Sequence, residues 1–193
     1  EIGPVTWPEG NGWIVRELMK RIGDRVRTEA PVHAIRRSGA RFRVLTYATE
    51  YEAEAVIFAA PTFLAKYLVE DAPPASGFVY SPWVTANLTL DRPPRERGIE
   101  PAWDNVINGS PTLGYVVATH MSLRTRIDRT VWTWYWALAD GAPAENRRAM
   151  LTRDWNWNKE YILRDLERAH PDIRQCVSRI DVLRIAHAMV RPI

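Results

Sequence analysis

The chain has 193 residues and a formal net charge of +3. That is long enough to bury a real core and too weakly basic to argue for a nucleic-acid partner. Its single cysteine, Cys176, excludes an internal disulfide framework and any cysteine-based metal cluster. No apolar run approaches the length of a membrane span, and no signal peptide is visible.

Taken in order, Glu1 to Gly10 reads as loop, punctuated by Pro4, Pro8 and Gly10. Asn11 is the expected N-cap of a helix running to Ile22. Ile14, Val15, Leu18, Met19 and Ile22 form its apolar stripe, and Gly23 suits its stop. Val26 to Ile35 is extended and interrupted by Pro31. Ser38-Gly39 is a turn, Arg41 to Tyr47 alternates, and Tyr51 to Glu54 alternates again, so a three-stranded meander is expected. Ala55 to Ala60 is apolar without a gap, the pattern of a strand covered on both faces. It ends in the small-residue corner Ala59-Ala60-Pro61, after which Phe63, Leu64, Tyr67 and Leu68 resume at helical spacing.

Glu70 to Gly77 is rich in Pro and Ala and reads as a connector between domains 1–73 and 76–193. Pro82 to Leu90 alternates, with Val84, Ala86, Leu88 and Leu90 on one face and Trp83, Thr85, Asn87 and Thr89 on the other. A charged loop, Arg95 to Glu100, follows. Trp103 to Asn108, Leu113 to Met121 and Thr130 to Leu138 are three more expected strands, the first two joined by the turn Asn108-Gly109-Ser110-Pro111. Helices are expected from Glu145 to Leu151 and from Trp155 to Ala169. A corner at Pro171 then leads to a strand from Val177 to Ile185.

The run Gly23-Asp24-Arg25-Val26, Glu29, Pro31-Val32, Ile35 and Ala55-Val56-Ile57 with Ala60-Pro61 resembles the flavin-containing amine oxidase superfamily. Trp7-Pro8-Glu9-Gly10-Asn11-Gly12 with Leu18 resembles that family's Gly-Gly-x-x-x-Leu element, with Asn11 inserted between the glycines. The closing His187-Ala188-Met189-Val190-Arg191-Pro192 is similar to the stretch before its last cofactor motif. The resemblance implies an α+β fold: the β-meander segment of an FAD-binding domain over residues 1–73, then a mainly antiparallel substrate-domain sheet packed with helices. It implies FAD as cofactor, a small-molecule substrate, and hydride transfer from a substrate carbon to the flavin. Val32 would hold the adenine through its backbone, and Ala60 and Pro61 would pass close to the cofactor.

The sequence contains no Gly-x-Gly-x-x-Gly, the turn that meets a pyrophosphate at a helix N-terminus. The expectation is therefore the middle of a larger enzyme, inactive and free of FAD as an isolated chain. His33, His120, His170 and His187 lack metal-ligand spacing, so no metal is expected. No Gly-x-Ser-x-Gly elbow occurs, and Cys176 is expected to be a small buried residue.

Within the implied substrate sheet, Tyr115, Trp132, Trp134, Tyr135 and Trp136 are aromatic candidates for a pocket. Trp132, Trp134 and Trp136 share one strand face and are expected to pack against the helix carrying Trp155, Trp157 and Tyr161. That leaves Thr133 and Tyr135 on the other face as pocket candidates, together with Tyr115. His120 is either at the same level or an exposed strand-end residue. Counting from Asp91-Arg92-Pro93 places Thr85 where the family's amine oxidases carry a lysine. No lysine occurs between Tyr67 and Asn158, so amine oxidation by that arrangement is in doubt and a desaturase-like reaction fits no worse. The alternative is a non-enzymatic, aromatic-rich β module binding a sugar or lipid, which the nine tryptophans would support.

Overall fold

The computed structural model describes residues 9–95, 98–121 and 127–193. The expected loop up to Pro8 and the centre of the charged 95–100 loop lie outside the described residues. The chain divides into two compact units, 9–77 and 78–193.

The first unit opens with α1 (Asn11–Ile22). Gly10, not Asn11, occupies its N-cap position. Gly23 ends it in a right-handed conformation and continues into a 3₁₀ turn, Gly23–Arg25, so the left-handed stop is not used. None of the helix's residues is buried, and its apolar stripe faces outward. The meander follows as β1 (Val32–Ser38), β2 (Arg41–Thr46) and β3 (Glu50–Ala53), an antiparallel sheet in that order. Gly39 turns β1 into β2 at φ 61°, a value that costs glycine nothing. Arg43 on β2 pairs with Glu50 on β3.

The Ala55–Ala60 run is not a strand. It has no regular pairing among the described residues, and Ile57 is 92% exposed. The run is apolar, but a buried strand exists only through neighbours on both edges, and none of the described residues supplies them. A 3₁₀ turn, Thr62–Leu64, and a single turn of helix, α2 (Ala65–Leu68), complete the unit. Behind it, Val69 bridges to Ile35 in parallel and Glu70 N–H donates to the Ile35 carbonyl at 2.9 Å.

The second unit is a five-stranded antiparallel sheet in the order β5-β6-β7-β4-β8, with helices on one face. Its strands are β4 (Phe78–Leu90), β5 (Asp104–Asn105), β6 (Gly114–Val117), β7 (Thr130–Ala137) and β8 (Val177–Pro192). Val84, Ala86, Leu88 and Leu90 of β4 are completely buried, as their alternation required. On β7, Trp132 and Trp134 are buried beside them.

The covering helices are α3 (Pro143–Thr152), α4 (Trp155–Glu167) and the short α5 (Ile173–Cys176). Asp154 caps α4 by accepting from Trp157 N–H at 2.7 Å, satisfying one of the helix's open donors. Met150, Ile162, Leu163, Leu166, Ile173 and Cys176 close the core from this side.

Three expected elements differ. The Trp103–Asn108 strand shrinks to Asp104–Asn105, because the Asn105 side chain bonds back to Ala102 N and O at 2.8 Å each and curls the backbone. The Leu113–Met121 strand stops at Val117, and Ala118–Met121 is a 3₁₀ turn. The final strand runs on to Pro192, since β4 starts at Phe78 and offers it a partner throughout. Gly114 is required where it stands. Its φ is +82°, and a Cβ there would sit 1.8 Å from the Asn105 carbonyl oxygen.

Candidate functional site

Strand alternation gives the second sheet two unlike faces. The helix-side face is sealed by aromatic packing. Trp136 stacks on Tyr161 at 4.6 Å and Tyr161 on Trp157 at 5.0 Å. The Arg153 guanidinium lies 4.9 Å from the Trp136 ring and 4.3 Å from the Trp157 ring, a cation–π arrangement. Trp134 meets Trp136 and Tyr161 edge-on. The tryptophan stripe is core, as expected, except that Trp155 turns away and donates to the Ile180 carbonyl.

The outer face carries Thr85, Thr133 and Tyr135. Register places Thr85 directly opposite Tyr135, and Asn87 opposite Thr133. Such cross-strand neighbours have Cβ atoms roughly 5 Å apart. Thr133 Oγ1 donates to Asn87 Oδ1 at 2.8 Å. The hydroxyls of Thr85 and Tyr135 have no hydrogen-bond partner among the described residues, and both side chains are half-buried. Burial raises the Tyr135 pKa, with Asp104 adding to the shift, so the phenol keeps its proton.

Further along the same face, Ser81 Oγ, Trp83 Nε1 and Arg191 Nε are buried without a partner. Alternation puts Ser81 and Trp83 on the Thr85 side of β4, and Arg191 pairs with Val79. Sequence reasoning missed this group. The signal was there in the Ser81-x-Trp83-x-Thr85 spacing, but nothing marked Arg191 as its neighbour.

Two candidates fall elsewhere. Tyr115 pairs with Trp134, so its side chain lies on the helix-covered face, away from Thr85, Thr133 and Tyr135. It is 3% exposed and stacks on Trp132 at 4.4 Å. The parity that decides this cannot be read from an isolated strand pattern. His120 lies on the 3₁₀ turn rather than on a strand. It is exposed, with Nε2 3.1 Å from the Pro101 carbonyl oxygen. No group of residues suited to a metal ion occurs among the described residues, and no helix among them is long and apolar enough to cross a membrane.

In the first unit the register at Val32 is informative. Val32 pairs with Thr46 and Ala34 with Leu45, so His33 is bulged out. Thr46 N–H is committed to the Thr49 carbonyl at 3.0 Å, on the β3 side. The Val32–Thr46 pair is therefore of the non-hydrogen-bonded kind, and the Val32 N–H and C=O point to the outer edge of β1. Farther along that edge, Glu70 engages Ile35 and Arg37. Ala60 and Pro61 form an exposed corner, and the Pro61 carbonyl accepts from Leu64 N–H at 2.9 Å.

Comparison with known proteins gives this geometry a family. The chain is similar to a wild-type putrescine oxidase solved with putrescine bound (15% identity, TM-score 0.67, 95% of this chain and 42% of that one). It is also similar to the cyclohexylamine oxidase of Brevibacterium oxydans IH-35A (11% identity, TM-score 0.64, 91% and 38%). A third similar structure is a putative protoporphyrinogen oxidase from Exiguobacterium sp. 255-15 (16% identity, TM-score 0.62, 91% and 39%). The chain thus spans about two fifths of the length of these structures, and at such identities they speak for the fold. No curated protein matches the sequence at a significant level. The model of the flavin containing amine oxidoreductase family matches residues 1–180. FAD is the cofactor this family implies for the complete protein. With most of its length matched, the chain belongs to the flavin containing amine oxidoreductase family.

Proposed function

We propose that this chain supplies two parts of an FAD-dependent oxidoreductase. Residues 9–77 would be the meander segment of the cofactor domain. Residues 78–193 would be the sheet that walls the substrate site. FAD, when bound, would take up a hydride from a substrate carbon; the protein's own task is to position that carbon and keep water away.

The observation that carries this reading is the Thr85–Tyr135 pair: two unengaged hydroxyls, directly opposed and half-buried, on a sheet sealed behind by tryptophans. Unpaired Ser81 Oγ, Trp83 Nε1 and Arg191 Nε on the same face support it, since buried donors are ordinarily satisfied. Thr85 stands near where the resemblance puts a lysine in amine oxidases, and a desaturase-like or other dehydrogenation fits no worse than lysine-assisted amine oxidation.

The test is Tyr135→Phe in the complete protein. Removing one hydroxyl contact worth about 1.4 kcal/mol lowers kcat/KM about tenfold and leaves the melting temperature unchanged. An unchanged kcat/KM removes Tyr135 from the site.

The residues present fit FAD at one point. An adenine edge offers one donor and one acceptor, and the outward N–H and C=O of Val32 are complementary to it. Val32→Pro deletes the donor. Because that N–H points away from β2, the meander tolerates the change, as an edge strand does. FAD affinity of the complete protein should fall by about 1 kcal/mol, roughly fivefold. Equal affinity in parent and variant would remove the adenine role.

The 193-residue chain alone lacks a glycine-rich turn for the pyrophosphate. It is expected to purify colourless, and flavin absorbance near one equivalent would contradict this reading.

A further inference from the structure

On the helix-covered side of the second sheet, a cavity of about 570 Å³ opens between residues 99–107 and the end of α4. Tyr115 and His170 form part of its wall, and each is more than nine-tenths buried. Tyr115 Oη and His170 Nε2 are 2.5 Å apart. The imidazole is held edge-on to both Tyr115 and Trp132, so its orientation is fixed. Burial pushes the Tyr115 pKa up to about 12 and lowers that of His170. Both groups are therefore neutral, and the bond takes one of two forms, with either the phenol or Nε2–H as donor. A neutral imidazole accepting at Nε2 carries its own proton on Nδ1. In that form, with the phenol donating, the Nδ1–H has no partner among the described residues.

Arg168 lines the same cavity. Its Nη2 donates to the Asn108 carbonyl at 2.9 Å and its Nη1 is 3.8 Å from Asp165, contacts that leave other guanidinium N–H groups to spare. Ala102, Ile107 and Pro171 supply apolar wall. Glu100, the acid among the lining residues, is exposed, where solvent and salt screen its charge.

We propose that this cavity binds a small aliphatic carboxylate, with its oxygens on His170 Nδ1–H and the Arg168 guanidinium and its carbon chain against Ala102, Ile107 and Pro171. The site is separate from the Thr85–Tyr135 face and needs neither flavin nor turnover.

The experiment titrates the ¹⁵N-labelled full chain with butyrate and follows the His170 ring nitrogens by long-range ¹H–¹⁵N correlation. A saturable shift centred on Nδ1 is expected, with little response to butyramide or butylamine. Arg168→Met should weaken butyrate about tenfold. His170→Asn keeps an N–H near the Nδ1 position and should bind, whereas His170→Gln moves the amide toward Tyr115 and should not. Should the Gln variant fail to fold, the Met and Asn variants still decide. No saturable shift, an equal response to butylamine, or butyrate binding indifferent to Arg168→Met overturns the proposal. Because the readout involves no flavin, its failure is distinct from failure of the Tyr135 reading.

Discussion

Trp134→Ala is expected to unfold the chain or leave it insoluble. Trp134 is completely buried, lies edge-on to Trp136 and Tyr161, and donates its indole N–H to Asp165 Oδ2 at 2.8 Å. Its strand neighbours, Ala86 and Tyr115, are themselves buried, so little is free to collapse into the space. Truncating such a side chain costs roughly 3–5 kcal/mol. Losing the indole donor to a buried carboxylate costs about 1–3 kcal/mol more. Against a typical folding free energy of about 5–15 kcal/mol, the sum takes most of the margin. Any soluble variant should melt roughly 10 °C or more below the parent. Trp134→Phe keeps most of the packing and should fall between them. If Trp134→Ala melts with the parent and only activity in the complete protein is lost, the tryptophan stripe is the pocket and the two faces are reversed.

That test bears on how much the sequence disclosed. The alternation along Thr130–Leu138 placed Trp132, Trp134 and Trp136 on one face, and they lie there. Alternation is a local property of extended chain, so no knowledge of partners was needed. The same holds for the meander and for the buried face of β4. What failed depended on partners. Ala55–Ala60 has the composition of a central strand, yet nothing in the described residues pairs with it. The aromatic pattern groups Tyr115 with Thr133 and Tyr135, whereas the β6–β7 register sets it beside Trp134. The expected strand carries His120 at its end, whereas the strand stops at Val117 and His120 lies in the following 3₁₀ turn. For Ala55–Ala60 and Tyr115 the deciding fact is whether and how another segment pairs with the run, on which local periodicity is silent.

Asp165 is the clearest such omission, and its replacement carries the second large effect. Its partners Ser110 and Thr112 lie more than fifty residues away in the chain, but one local signal existed. Asn158, Ile162 and Leu166 mark the buried stripe of α4, and Asp165 falls on it. A carboxylate on an apolar stripe must find donors or be expelled.

It finds three. Ser110 Oγ donates to Oδ1 at 2.6 Å, while Thr112 Oγ1 and Trp134 Nε1 donate to Oδ2 at 2.7 and 2.8 Å. Ser110 Oγ in turn accepts from Thr112 N–H, and Thr112 Oγ1 from Gly114 N–H. The turn entering β6 is thereby tied to α4 and β7 through one side chain. Asp165→Ala strands three donors, two of them on buried residues, Thr112 and Trp134. Hydrogen bonds to a charged acceptor contribute about 1.5–3 kcal/mol each. The members of such a network are coupled rather than additive, so the expected loss is about 3–5 kcal/mol.

Asp165→Asn keeps the shape but turns an NH₂ toward one of the donors, and should recover only part of the loss. Thr112→Val in the Asp165→Ala background should cost much less than Thr112→Val alone, because its acceptor is already gone. Urea denaturation of the four species measures that coupling directly. Additive losses, or an Asp165→Ala variant as stable as the parent, would show that the carboxylate is not what fastens the 110–114 turn to the core.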